Sequence, residues 1–189
     1  MNRRLAQGFS ADRVPERTDA VEAVVALGAN LGDRAATIAA ALDELARLPL
    51  TRVTAAAEPI ESVAITPQGA DATAPAYLNT VAIVTTRLSP TVLLSYLYAI
   101  EARHGRERTV RWGDRTLDLD LIAFGDVRSA DPALLLPHPR AAERDFVLGP
   151  WLVVDPDAVL PGAGRVDALL AGLRRSRDDR GGAAEAGRG

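Results

Sequence analysis

The eight residues Leu117 to Phe124, LDLDLIAF, alternate leucine with aspartate before running into an apolar end. In a β-strand, side chains at i and i+2 share a face. As a strand, the segment puts Leu117, Leu119 and Leu121 on one side and Asp118 and Asp120 on the other. The leucine side can bury against helices. The aspartate side cannot be ordinary core, because burying an unpaired carboxylate is very costly. Two carboxylates roughly 7 Å apart along one strand also repel each other. Arginine or a metal ion has to supply the opposing charge.

Arginines are at hand. Arg103, Arg106, Arg108, Arg111 and Arg115 lie just upstream, and Glu107 and Asp114 are the acids among them. Taken alone, Asp-x-Asp fits either a solvent-facing strand paired with arginine or a site for a hard cation such as Mg²⁺. A net-positive loop beside an acidic strand face suits a metal–polyphosphate ligand, with carboxylates on the metal and guanidinium groups on the oxygens. Trp112, among the arginines, is either a packing residue or a platform for a flat ring. His138 lies between Pro137 and Pro139, with Arg140 and Arg144 close behind, which makes it a candidate phosphate contact. His104 reads as a capping residue at a helix end.

Composition narrows the chemistry. All 22 basic residues of the 189 are arginine, so a phosphate loop that depends on lysine is excluded. There is no cysteine, which removes disulfides and thiolate metal sites. A net charge of −3 argues against a general nucleic-acid binder, and aromatics at 4% argue against the stacking sheet of an RNA-binding module. No apolar run is long enough to cross a bilayer, and the basic start lacks a signal-peptide centre. A cytoplasmic protein working on small molecules, as a monomer, is expected.

The chain pattern gives an order of elements. Residues 1–20 are polar and aperiodic, a flexible lead-in. VEAVVALGANLGDR reads as a strand and a tight turn, with Asp33 near a helix start. Ile38, Ala41, Leu42, Leu45 and Leu48 then recur at helical spacing. TRVTAAAEPIESVAI reads as a second strand, and residues 66–76 as a long loop of the kind that is often functional. YLNTVAIVTT is a strand rich in β-branched residues. In SPTVLLSYLYAIEARHG, Ser89 caps a helix, Pro90 takes its first position and Gly105 ends it; Leu93, Leu94, Leu97 and Ile100 form its apolar face. With the strand at Leu117–Phe124, the order is βαββαβ. This predicts an α+β fold of the ferredoxin-like kind, with an antiparallel sheet, helices on one face and a C-terminal extension. A single domain over residues 21–175 and a disordered tail over 176–189 are expected.

Four motifs together, LGANLGDR, YLNTVAIV, RWGDRTLDLDLIAFG and LPHPRAAERDFVLGPW, resemble the 6-hydroxymethyl-7,8-dihydropterin pyrophosphokinase family in order and spacing, over roughly residues 21–161. The resemblance implies transfer of pyrophosphate from ATP to the pterin hydroxymethyl group, with release of AMP, in folate biosynthesis. It implies that Asp118 and Asp120 bind two Mg²⁺ ions and that Arg106 and Arg115 neutralise the transferring group. Glu101, Arg108, Arg111, Trp112, Leu121, His138 and Arg144 would line the ATP site. Thr66, Pro67, Gly69, Tyr77, Asn79 and Phe146 would form the pterin pocket. Asp114 stands where the family usually has proline, and Ala29 where it has serine.

Overall fold

The computed structural model describes residues 19–66, 69–71, 75–105 and 116–186. Strand β1 (Val21–Ala29) leads through a short turn to helix α1 (Arg34–Ala46). Next come β2 (Thr51–Ala56), β3 (Ile60–Ser62), β4 (Ala64–Thr66), β5 (Gly69–Asp71) and the long β6 (Tyr77–Thr86). Helix α2 (Pro90–Arg103) precedes β7 (Asp118–Phe124), and a small hairpin, β8 (Ser129–Asp131) with β9 (Leu134–Leu136), follows. A 3-10 turn at Ala141–Glu143 leads into α3 (Asp145–Val154). The hairpin β10 (Val159–Leu160) and β11 (Gly164–Arg165) then precedes α4 (Val166–Ala186).

The helix starts follow local chemistry. Asp33 caps α1 by accepting the Ala36 amide at 3.0 Å, and Ser89 caps α2 with Pro90 in the first turn. Gly105, at φ 80°, takes the left-handed conformation that lets α2 stop.

The main sheet is antiparallel and runs β2–β6–β1–β7, with β3 also paired to β6. One face carries Ala23, Val25, Leu27, Ala82, Val84, Leu117, Leu119 and Leu121 against Ala41 and Leu45 of α1 and Leu93, Leu97 and Ile100 of α2. The other face carries Val24, Ala26, Val81, Ile83 and Ile122 against Val147, Leu148 and Trp151 of α3 and Val166 and Leu170 of α4. Helices therefore lie on both faces, not on one. The C-terminal extension is apolar enough to bury the second sheet face, so it forms a third layer. A register shift on β7 leaves Ile122 without a β1 partner, between Leu121 and Ala123. This bulge returns Phe124 to the α1–α2 side.

Three further expectations change. The second strand breaks into β2 and β3. Part of the presumed loop at 66–76 forms a small hairpin in which Thr66 pairs with Gly69. Helix α4 continues to Ala186, past residue 175, where composition alone predicts a tail. No helix among the described residues is long and apolar enough to cross a membrane.

Glu44 ties α1 to α2. It accepts from Arg103 Nε at 2.7 Å and lies 2.7 Å from His104 Nε2, so His104 does more than cap. Burial opposes the Glu44 charge, but the hydrogen bonds from Arg103 and His104 outweigh it and hold the carboxyl below its ordinary value. A depressed carboxyl adds stability above its unfolded value of about 4.3 and loses it as pH falls through the folded value. Glu44→Gln should lower stability by roughly 1 kcal/mol at neutral pH. The urea midpoints of the two proteins should converge below about pH 4. A gap that stays constant into acid would contradict the tie.

Candidate active site

The alternation along β7 has the predicted consequence. Leu117, Leu119 and Leu121 are at most 5% exposed on the α1–α2 side, and Asp118 and Asp120, half-buried, turn to the side of α3. By the same alternation Gly28 of β1 and Tyr77 and Asn79 of β6 turn to that side too. One sheet face is thus apolar core at one end, under α3, and polar at the other. The register aligns the polar end: Gly28 pairs with Asn79 on one side and with Asp118 on the other, and Ala26 pairs with Asp120. Gly28 is read from sequence as part of a turn, but it lies within β1. Because it has no side chain, it leaves room for the Asn79 amide, whose Oδ1 lies 3.0 Å from where a Cβ would stand.

The chain after β9 supplies the opposite wall. The Leu136–Pro137 peptide is cis. The His138 amide donates to the Ile122 carbonyl at 2.8 Å, which fixes His138 beside β7. Its Nδ1 accepts the Arg140 amide at 3.2 Å, so the neutral ring carries its proton on Nε2. That nitrogen is 3.8 Å from Asp120 Oδ2. Burial holds the His138 imidazole below its ordinary value; Asp120 and, less strongly, Asp118 pull it upward, and Arg144 and Arg140 add to the lowering. Arg144, at the start of α3, donates to Asp120 Oδ2 at 2.6 Å, and its guanidinium lies 5.8 Å from the centre of the Phe146 ring.

The structure therefore brings together Asp118, Asp120, His138, Arg144, Phe146, Tyr77 and Asn79. It does not bring Leu121 and Glu101 to the same face. Leu121 is core on the α2 side. Glu101 is 1% exposed and accepts the Leu119 amide at 2.8 Å, holding the outer edge of β7. Thr66 and Gly69 are placed by backbone pairing alone. Pro67, Arg106, Arg108, Arg111, Trp112, Asp114 and Arg115 lie outside the described residues. No group of three or more His, Asp or Glu arranged to hold a metal is found among the described residues. Two carboxylates on one face nevertheless fit a hard cation that takes its remaining oxygens from substrate phosphates and water. Sequence reasoning misses Gly28, Ser62 and Arg34. Ser62 accepts Asn79 Nδ2 at 2.7 Å. Arg34 donates to the Ala76 carbonyl at 2.7 Å and to Glu61 at 2.9 Å.

Carboxylates, a neutral imidazole and a guanidinium gathered at one open end of a sheet make a site suited to phosphate chemistry. The family model described as 7,8-dihydro-6-hydroxymethylpterin-pyrophosphokinase (HPPK) matches residues 24–156, and the chain belongs to this family. It is 43% identical over 147 residues to the 2-amino-4-hydroxy-6-hydroxymethyldihydropteridine pyrophosphokinase of Pseudomonas aeruginosa, covering 78% of this chain and 88% of that one. It is 35% identical over 150 residues to the enzyme of the same name from Haemophilus influenzae, covering 79% and 91%. Among solved structures, wild-type Plasmodium falciparum HPPK-DHPS superposes with a TM-score of 0.59 at 13% identity, a likeness of fold. That match covers 82% of this chain and 41% of the other, so this chain spans less than half of it.

The electrostatics of the site are testable in the metal-free protein. His138 should titrate below its usual value of about 6.5, and Asp120→Asn should lower it further by removing the larger upward pull. Proton NMR of the imidazole across pH reads both effects. A rise on Asp120→Asn would refute the arrangement.

Proposed function

We propose that this chain transfers pyrophosphate from ATP to the hydroxymethyl group of 6-hydroxymethyl-7,8-dihydropterin, releasing AMP, as a step of folate biosynthesis. The observation that supports it best is the register that sets Asn79, Gly28 and Asp118 side by side on one sheet face. Adjacent strands lie about 4.8 Å apart, so Asn79 and Asp118 stand roughly 10 Å apart across three strands. A flat bicyclic ring laid over Gly28 meets Asn79 with one edge and sends its hydroxymethyl group toward Asp118. In this reading Asn79 bonds the ring edge, and Tyr77 and Phe146 take its faces. Thr66, Pro67 and Gly69 would complete the pterin pocket.

ATP lies across the other wall. His138, kept neutral by burial, offers its Nε2 proton to a phosphate oxygen. Arg144 is placed to share its guanidinium between Asp120 and a phosphate. Arg108, Arg111 and Trp112 would add further contacts to ATP. Leu121 would meet the nucleotide only with its main chain, at the free edge of β7, and Glu101 would act by holding that edge through the Leu119 amide. Arg106 and Arg115 neutralise the group in transfer. Two Mg²⁺ ions on Asp118 and Asp120, sharing oxygens with ATP, would neutralise the phosphates and acidify the hydroxymethyl group. The hydroxymethyl oxygen attacks the β-phosphorus in line, the bond from that phosphorus to the oxygen of AMP breaks, and the hydroxyl proton leaves to solvent. Such a step needs charge neutralisation and alignment more than covalent help from the protein. The strand order β2–β6–β1–β7 also supports reading the βαββαβ core as ferredoxin-like.

Mixing the purified protein with MgATP and the hydroxymethyl-dihydropterin should give AMP only when the pterin is present. ADP as the sole product, or no turnover, would sink the proposal. Asp118→Ala and Asp120→Ala should each reduce turnover by at least about 100-fold while leaving the circular dichroism unchanged.

A further inference from the structure

We infer that Ser62 is a positioning residue that fixes which end of the Asn79 amide faces the pterin, and so sets which ring edge the enzyme accepts. The inference rests on the pterin reading above and deepens it. Asn79 is 6% exposed, so the orientation of its amide matters. Its nitrogen end donates to Ser62 Oγ at 2.7 Å. Its oxygen end lies over β1: a Cβ built on Gly28 would stand 3.0 Å from Asn79 Oδ1 and 4.0 Å from Tyr77 Cδ1. The amide is therefore held at its nitrogen end by a hydroxyl acceptor on β3, and its oxygen end takes the room left at a glycine on β1.

Strand β3 alone is a weak support. It has three residues, and Ile60 is 42% exposed. Arg34 compensates. One guanidinium nitrogen bonds Glu61, next to Ser62, and the other bonds the carbonyl of Ala76, next to Tyr77. The strand that carries Ser62 and the start of the strand that carries Asn79 are thereby held at a fixed separation.

An amide that turns over exchanges its donor and acceptor ends. Facing the 2-amino-4-oxo edge of a pterin, it would then meet donor with donor and acceptor with acceptor. With Nδ2 held by Ser62, Oδ1 and the second amide proton keep constant places. With Oδ1 accepting from the 2-amino group, a ring that carries oxygen there sets acceptor against acceptor and is rejected, because buried polar groups are left unpaired.

The test measures kcat and KM for both substrates, and the preference for the 2-amino over the 2-oxo ring. Ser62→Ala should raise the pterin KM about tenfold, hold the ATP KM within about twofold, and shrink the ring preference about tenfold. Ser62→Thr keeps the hydroxyl and should restore all three. Gly28→Ala, which presses on the oxygen end, should shrink the preference in the same direction. A Ser62→Ala enzyme with unchanged ring preference, beside an active wild type, overturns the role of Ser62 alone. Equal losses for both substrates overturn it too, since they mark a general structural defect. A wild type without pterin-dependent AMP overturns the activity itself, and this role with it.

Discussion

A strand that must bury one set of side chains has to turn the alternate set the other way. In β7 the buried set is Leu117, Leu119 and Leu121, against α1 and α2, and the alternate set is Asp118 and Asp120. The rest of the molecule is organised around keeping that second face partly open. Helix α3 begins at Asp145 and covers Val24, Ala26, Val81, Ile83 and Ile122; Asp120 shares the row of Ala26 and Val81, and the next row on this face holds Gly28, Asn79 and Asp118. The same sheet face is hydrophobic core under the helix and polar past its end. The Asp120 carboxylate stays tolerable because Arg144, on the chain that enters that helix, donates to it.

The supports of the site are mostly main-chain or second-layer contacts. The His138 amide on the Ile122 carbonyl fixes the imidazole; the Glu101 carboxylate on the Leu119 amide steadies the edge of β7; Ser62 fixes Asn79. A phosphoryl transfer that relies on alignment gains from such fixed groups, because little has to be ordered when substrates arrive.

Much of this was legible in the sequence wherever the signal is local. The two-residue period of LDLDL, the caps at Asp33 and Ser89 and the β-branched run of β6 each act within a few residues, and each element formed where the pattern put it. What depends on distant partners was not legible. Glycine ahead of Ala29 and Asn30 looks like turn chemistry, yet β1 stays paired on both sides through Gly28, and pairing overrides the local cue. Nothing local says that α3 and α4 cover the second face. The family resemblance placed Glu101 and Leu121 with the nucleotide, whereas their side chains sit on the core side of β7. Ser62 and Arg34 carried no periodic signal, because their importance comes from contacts 17 and 42 residues away.

The proposed site is spatially specific: it places transfer over Gly28, between Asn79 and Asp118. A crystal structure with Mn²⁺, a non-hydrolysable ATP analogue and the dihydropterin tests it most directly. The account predicts anomalous peaks on Asp118 and Asp120, with the pterin ring lying over Gly28 and its edge on Asn79. Metal density away from the two aspartates, or a pterin bound elsewhere on the chain, would contradict it.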